Sequence, residues 1–128
     1  MLGLLSTASL HAQKMNIDSL KLKLRTEKND SARVRLLLWA GSLFGYGNKK
    51  NDSAFYYLQE ALDISTRKND LRNANFAKSI MCRYFYTYGN FKEALDMAFQ
   101  NLNYANAIKD TMLLIHTHKD LLKVYLKM

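Results

Sequence analysis

Few side chains in this sequence are of the types that most often catalyse reactions or bind metals. Two of its three histidines, His116 and His118, lie two residues apart. On a helix, side chains at this spacing point to different faces, so the pair does not suit a metal ion. The single cysteine, Cys82, falls within an apolar helical pattern. That position favours a small buried core residue over a nucleophile.

The carboxylates do not form an obvious catalytic set either. Most aspartates fall at expected helix starts or on exposed helix faces, where capping is their usual role. They are Asp18, Asp30, Asp52, Asp63, Asp70, Asp96, Asp110 and Asp120. The sequence contains no glycine-rich phosphate loop, nucleophile elbow or zinc-binding histidine pair. We therefore expect a protein that is not an enzyme and that has no cofactor or metal.

Basic residues are in excess, with 19 lysines and arginines against 11 aspartates and glutamates, a formal charge of +8. This excess favours an acidic protein or peptide as partner. Charge alone also allows the alternative function, binding of nucleic acid or another polyanion. No recognition-helix motif supports that alternative. Basic residues crowd the expected first helix, at Lys21, Lys23, Arg25 and Lys28, and recur every four residues along the last, at Lys119, Lys123 and Lys127.

Length and composition limit the fold. With 128 residues the chain is long enough for one domain with one core. Proline is absent and there are only five glycines, which favours helix. A hydrophobic fraction of 48% with 23% charged residues is typical of a globular protein. This composition, with a single cysteine, excludes collagen-like and disulfide-rich proteins. The membrane-spanning class is excluded because no apolar run is long enough to cross a bilayer.

The first twelve residues differ from the rest, because residues 1–12 contain no lysine, arginine, aspartate or glutamate. Their apolar run, with the small Ala12 at its end, resembles a secretory signal and predicts export, with the periplasm as destination. No positive segment precedes the run, which is consistent with an incomplete start. The alternative is an apolar first helical turn packed on the domain, in which case the protein is cytoplasmic.

The remainder of the chain contains an internal repeat with a period of 40 residues, so that position 66 is equivalent to position 26. Residues 26–30, TEKND, recur as TRKND at 66–70 and more weakly as IKD at 108–110. Apolar residues at spacings of three, four and seven predict two helices in each copy. The predicted organisation is an N-terminal capping helix within residues 13–29 and repeats over 30–69, 70–109 and, in part, 110–128. The helices are expected at 17–27, 31–46, 53–67, 71–88, 91–106 and 111–127.

Residues 81–95 carry a more specific pattern. A large residue and a small one, Met81 and Cys82, are followed by Phe85, by a Gly89–Asn90 turn and by Ala94. This pattern resembles the middle of a tetratricopeptide repeat, and the resemblance extends over roughly residues 30–128. The period of 40 exceeds the family's usual period of about 34 residues. Such elongated repeats resemble those in exported sensor regions of bacterial histidine kinases and helix-turn-helix regulators.

The resemblance implies an all-α fold, a right-handed α-solenoid of antiparallel helix pairs with about two and a half repeats. It also implies a non-enzymatic scaffold that binds proteins or peptides, as the exported or sensory part of a larger protein. In the family's frame the first helix of each pair lines a concave groove. The residues expected in that groove are Trp39, Tyr46, Arg83, Tyr86, Lys119 and Lys123. For Trp39, packing between helices is an equal alternative.

The last helix poses a separate question, because its pattern runs to Met128 without a polar outer face. Leu122, Val124 and Tyr125 are apolar, whereas terminal repeats normally need a polar outer surface. We therefore expect either that further residues follow or that this side associates with another chain. The lysines of this helix form one charged stripe, which is either a binding surface or simply a solvated face.

Overall fold

Six helices follow one another in the part of the chain that the computed structural model describes, residues 18–45 and 52–128. No strand occurs within these ranges, so the predicted all-α fold is confirmed. The predicted helix bounds agree with the structure to within two residues. The helices are α1 (residues 18–26), α2 (Asp30–Gly45), α3 (Asp52–Arg67), α4 (Leu71–Thr87), α5 (Phe91–Ile108) and α6 (Thr111–Lys127).

Two aspartates cap the helices that begin the second and third repeats. The Asp70 Oδ1 atom accepts a hydrogen bond from the Asn73 amide at 3.2 Å. Asp110 Oδ1 accepts one from the Leu113 amide at 3.1 Å. Each contact satisfies a first-turn amide that has no partner within its own helix. The two repeats therefore begin in the same way, at equivalent positions of the sequence period.

The first repeat begins differently, which corrects the expectation that Asp30 has the same capping role. Here the cap is Asn29, whose Oδ1 accepts a hydrogen bond from the Ala32 amide at 3.1 Å. Asp30 is the first residue of α2, and its Oδ2 lies 3.3 Å from Lys68 Nζ and 3.9 Å from Arg67 Nη2. Asn29 therefore caps α2, while Asp30 connects the start of α2 to the end of α3.

The three turns from α3 to α6 share one geometry and recur at each half of the sequence period. Asn69, Gly89 and Lys109 all have positive φ angles, of 55°, 82° and 54°. The amide that follows each turn residue donates to the carbonyl five residues earlier: Asp70 to Ser65 at 2.8 Å, Asn90 to Phe85 at 2.8 Å, and Asp110 to Ala105 at 3.2 Å. These bonds satisfy carbonyls at each helix end and return the chain antiparallel to itself.

The helices stack as an open array. Each helix from α2 to α6 packs on the next one in sequence, and α4 also contacts α2 and α6. Among the described helices, α3 makes no such contact with α5. The first helices of the repeats therefore form a continuous layer, and the second helices pack against it. This is the arrangement of an α-solenoid, in which each repeat contacts only its neighbours.

Small residues allow close approach between the layers. Ala54, Ala61, Ala94 and Ala98 are fully buried on the second helices, and Cys82 is fully buried on α4, as the sequence predicts. Fully buried large side chains fill the space between them: Leu20, Leu37, Leu58, Met81 and Val124. A helix pair alone could not bury these surfaces, so stacking of the repeats completes the core.

Two sequence predictions concern residues outside the described ranges. The predicted signal segment, residues 1–12, and the predicted groove residue Tyr46 both lie there. Of the predicted capping segment, residues 18–26 are helical. No helix within residues 18–45 and 52–128 is long and apolar enough to span a bilayer.

Candidate binding groove

An open cavity of about 590 Å³ lies along the layer formed by the first helices. All of its lining residues come from α2, α4 and α6. It is therefore formed by the stacking of repeats and belongs to no single helix pair. A cavity of this size is comparable to those that bind small molecules or single peptide side chains.

Two aromatic side chains form much of the apolar wall. Trp39 from α2 and Phe76 from α4 both line the cavity, and each is 49% exposed. Leu38 and Leu113 add aliphatic surface on the α2 and α6 sides. Half of the Trp39 surface remains accessible to solvent, so this indole is not simply packed between helices. Large, partly exposed aromatics of this kind often dominate binding energy at interfaces.

The charged part of the lining is basic. Arg35 and Arg72 are exposed residues of α2 and α4 that line the cavity, and no aspartate or glutamate is among the lining residues. Arg72 Nη2 lies 3.8 Å from Asp110 Oδ2, and its side chain is largely exposed. An exposed pair at this distance contributes little, so Arg72 remains available to an anionic group.

Another polar group in the lining is a buried amide. Asn75 is buried on α4, lines the cavity, and its backbone carbonyl accepts a hydrogen bond from Asn101 Nδ2 at 3.0 Å. Its side-chain Nδ2 has no hydrogen-bond partner among the described residues. A buried donor without a partner costs about 1–3 kcal/mol. This atom is closed to solvent, so it offers no donor to a ligand in the cavity.

A buried polar cluster joins α4 to α6 at one side of the cavity. Ser79 Oγ donates to Asp120 Oδ2 at 2.6 Å and lies 2.9 Å from His116 Nε2. Because a hydroxyl has one proton, Nε2 of His116 must be the donor to Ser79 Oγ. His116 Nε2 also lies 3.8 Å from Asp120 Oδ2. The cluster therefore fixes the position of α6 against α4.

The order of these contacts does not suit nucleophilic catalysis. In a hydrolytic triad the histidine lies between the serine and the aspartate and accepts the serine proton. Here Ser79 lies between His116 and Asp120, and its proton goes to the carboxylate. His116 cannot activate a hydroxyl to which it donates. The arrangement is that of a structural contact.

Asp120 is an exception to the expectation that most aspartates lie at helix starts or on exposed faces. It is 5% exposed and lies in the middle of α6. Burial, followed by the charge of Asp120, raises the pKa of the Cys82 thiol to about 12. Burial is also the main cause that raises the pKa of Tyr86; Asp120 and Cys82 add to it, and Arg83 opposes it.

The residues predicted for the groove are distributed unevenly. Of the six, Trp39 lines the cavity. Arg83 and Tyr86 are half-buried and lie one and two turns beyond Ser79 on α4. Lys119 and Lys123 are exposed on α6 and do not line the cavity. One predicted residue thus lines the cavity, two lie further along α4, and two lie on the exposed surface of α6.

Most of the lining residues were not predicted from the sequence as binding residues, and Arg35, Arg72, Asn75 and Phe76 are among them. A signal for two of them was present. Arg72 and Phe76 precede Ser79 by seven and three residues, which places all three on one face of α4. Ser79 is the equivalent of Trp39 one sequence period later. If the prediction had included the whole face of α4 that carries Ser79, back to the start of that helix, it would have included Arg72 and Phe76.

The stacked helix pairs and the groove along their first helices define a helical-repeat protein of the tetratricopeptide class. Such repeats are generally non-enzymatic scaffolds that mediate protein interactions. The family described as the SusR N-terminal TPR domain matches residues 6–121, and the chain belongs to this family. The predicted tetratricopeptide assignment is therefore confirmed. No curated protein and no solved structure matches the chain.

Proposed function

We propose that this chain is a scaffold that binds an acidic segment of a partner protein in the cavity between α2, α4 and α6. The partner inserts an apolar side chain between Trp39 and Phe76 and places an adjacent carboxylate near Arg35 and Arg72. The observation that carries the proposal is the combination of half-exposed aromatics with basic residues in a lining that contains no carboxylate.

The apolar wall supplies affinity. Full burial of one aliphatic or aromatic side chain of the partner would contribute about 1.5–3 kcal/mol to the free energy of binding. The aromatic faces of Trp39 and Phe76 would lose their remaining exposure at the same time.

The basic residues supply selectivity. A formal charge of +8 draws acidic segments to the surface, and Arg35 and Arg72 orient the carboxylate once the segment is in place. Arg83 and Tyr86 continue the same face of α4, and Lys119 and Lys123 add positive charge on α6. In this proposal the protein is exported, and its binding serves a larger protein of which the domain is a part.

The test uses the single tryptophan, Trp39, as the reporter. A synthetic acidic peptide with one central leucine is titrated into the chain while Trp39 fluorescence is followed, and calorimetry gives the Kd. We expect Arg72→Glu and Phe76→Ala each to weaken binding by about tenfold or more. Arg25→Glu, a charge reversal of an exposed residue on α1, should change the Kd by less than about twofold.

Two results would contradict the proposal. Equal losses with Arg72→Glu and Arg25→Glu would mean that binding follows net charge and not the cavity. Tighter binding of duplex DNA than of the peptide, with a steep loss of affinity in salt, would support the polyanion alternative.

A further inference from the structure

Among the described residues that line the cavity, His116 is the one whose charge can change near neutral pH. Histidine side chains gain or lose a proton between about pH 5 and pH 8. The two other basic residues of the lining, Arg35 and Arg72, stay charged throughout this range. The His116 side chain is 49% exposed, so both a proton and a ligand can reach it. The charge of the lining therefore varies with pH at this one position.

The place of His116 in the groove does not depend on its position near the end of the stack. One sequence period earlier, its equivalent on α4 is Phe76, which also lines the cavity. Phe76 is 49% exposed although both α5 and α6 pack against α4. A repeat that packed on α6 as α6 packs on α4 would leave His116 accessible in the same way.

The hydrogen bonds of the ring determine which of its nitrogens changes state. Ser79 Oγ donates its proton to Asp120 Oδ2 at 2.6 Å, so His116 Nε2 donates to Ser79 Oγ at 2.9 Å. Nε2 therefore carries a hydrogen in both charge states, and the second proton is taken up by Nδ1. Protonation leaves the contact with Ser79 in place and converts Nδ1 from an acceptor into a donor. The charged ring can pair with a carboxylate that the neutral ring cannot bind.

The surrounding charges act in the same direction. Asp120 Oδ2 lies 3.8 Å from His116 Nε2, so its negative charge opposes an anionic ligand until the imidazolium offsets it. On the α2 and α4 sides the charged lining residues are Arg35 and Arg72, and α5 contributes none. Cys82 and Tyr86 of α4 sense the Asp120 charge, and burial raises the pKa of both. Both therefore stay protonated between about pH 5 and pH 8, where histidine titrates.

We propose that His116 makes binding in the cavity depend on pH, so that an acidic segment binds tightly to the protonated ring and is released from the neutral one. This inference rests on the proposed function, because it concerns the same segment. The segment's own carboxylates keep their charge above about pH 5. Since the segment favours the protonated ring, binding must take up protons, and affinity must fall as the pH rises.

The experiment repeats the titration of the acidic peptide with one central leucine at about pH 5.5 and at about pH 8. We expect the unsubstituted chain to bind about fivefold more tightly at the lower pH, the effect of one partly exposed ion pair. His116→Gln should show less than about a twofold difference, because the glutamine amide is uncharged at both pH values and can still donate to Ser79. His116→Lys, which stays charged, should bind equally at both pH values and more tightly than the unsubstituted chain at the higher one.

The matched control is His118→Gln, which removes an exposed histidine of α6 that does not line the cavity. It should keep the full pH dependence. A second measurement needs no substitution: calorimetry at about pH 6.5, in two buffers of different ionisation enthalpy, reports the protons taken up on binding. We expect uptake in the unsubstituted chain and in His118→Gln, and none in His116→Gln. Far-UV circular dichroism verifies that each variant remains folded.

Three results would overturn the inference. Binding that changes less than twofold between the two pH values, without proton uptake, but is still weakened by Arg72→Glu would leave the proposed function in place and remove the role of His116. A pH dependence that persists in His116→Gln and disappears in His118→Gln would assign the effect to a surface outside the cavity. Absence of binding at both pH values would overturn the proposed function and this inference with it.

Discussion

Gly41 is the residue at which one added methyl group tests the packing of the first repeat most directly. It lies in α2, where the helix closely approaches the fully buried Leu58 of α3. A Cβ at position 41 would lie 2.6 Å from Leu58 Cγ and would also overlap Leu58 Cδ2. The preferred carbon–carbon separation is about 3.5–4.0 Å. Leu58 or the helix axis must therefore move by about 1 Å in Gly41→Ala.

Two opposing effects set the expected magnitude. Overpacking of a filled core costs about 1–3 kcal/mol. Alanine is better than glycine within a helix by about 1 kcal/mol. The overpacking cost should win, because Leu58 is fully buried and has little room to reorient. We expect Gly41→Ala to lower the free energy of unfolding by up to about 2 kcal/mol, with a fall in Tm of several degrees.

Urea unfolding followed by circular dichroism measures this loss. Asn103→Ala, at an exposed position on α5, is the control and should be neutral or slightly stabilising. In a Leu58→Ala background the space beside position 41 is vacated, so Gly41→Ala should no longer destabilise. The reasoning is refuted if Gly41→Ala stabilises the protein as Asn103→Ala does.

Three further predictions concern caps, the buried thiol and α1. Asp70→Ala and Asp110→Ala should each lower the free energy of unfolding by about 1 kcal/mol in urea unfolding, through loss of the cap. Stability should fall as the pH rises above 9.0, the ordinary pKa of the thiol, towards about 12, because folded Cys82 keeps its proton while the unfolded thiol loses it. Urea unfolding at each pH should show a steeper fall than in Cys82→Ala. Arg33→Ala should reduce amide exchange protection in α1, because Arg33 pairs with Glu60 at 2.6 Å and donates to carbonyls at the α1 end.

Each of these predictions has a matched control. Asp96→Ala, an exposed aspartate within α5 that caps no helix, should change stability by less than about 0.5 kcal/mol. A similar fall of stability above pH 9.0 in Cys82→Ala would assign the effect to other groups, such as Tyr86. Arg25→Ala should leave α1 protected, and loss of protection in both variants would contradict the role of Arg33.

The helices could be predicted from the sequence because their signals are local. Apolar spacing located every helix to within two residues, and the period of 40 established the repeat. The turns were predictable only in part. Gly89 signals a left-handed residue by its type, whereas Asn69 and Lys109 adopt the same conformation without being glycines. Their role follows from position in the repeat, half a period to either side of Gly89.

The groove was less predictable, because it forms between helices that are distant in sequence. Trp39 was identified from the family's frame, but its neighbour Phe76 requires knowledge of how α4 lies against α2. Asp120 is the clearest case. Helical spacing to Thr117 and Val124 places it on the buried face of α6, but the Ser79 hydroxyl that satisfies its carboxylate comes 41 residues earlier. The contact between them is a property of stacking.

The same contact also fixes how α6 is positioned along α4, and therefore which residues of α6 face the groove. A buried carboxylate is tolerated only where hydrogen bonds replace its lost hydration. If α6 slid by one turn along α4, Asp120 would lose Ser79 and remain buried without a partner. An apolar contact at this point would tolerate such a shift at little cost. The Ser79–Asp120 hydrogen bond therefore favours one register between the two helices, and in that register Leu113 and His116 of α6 line the cavity.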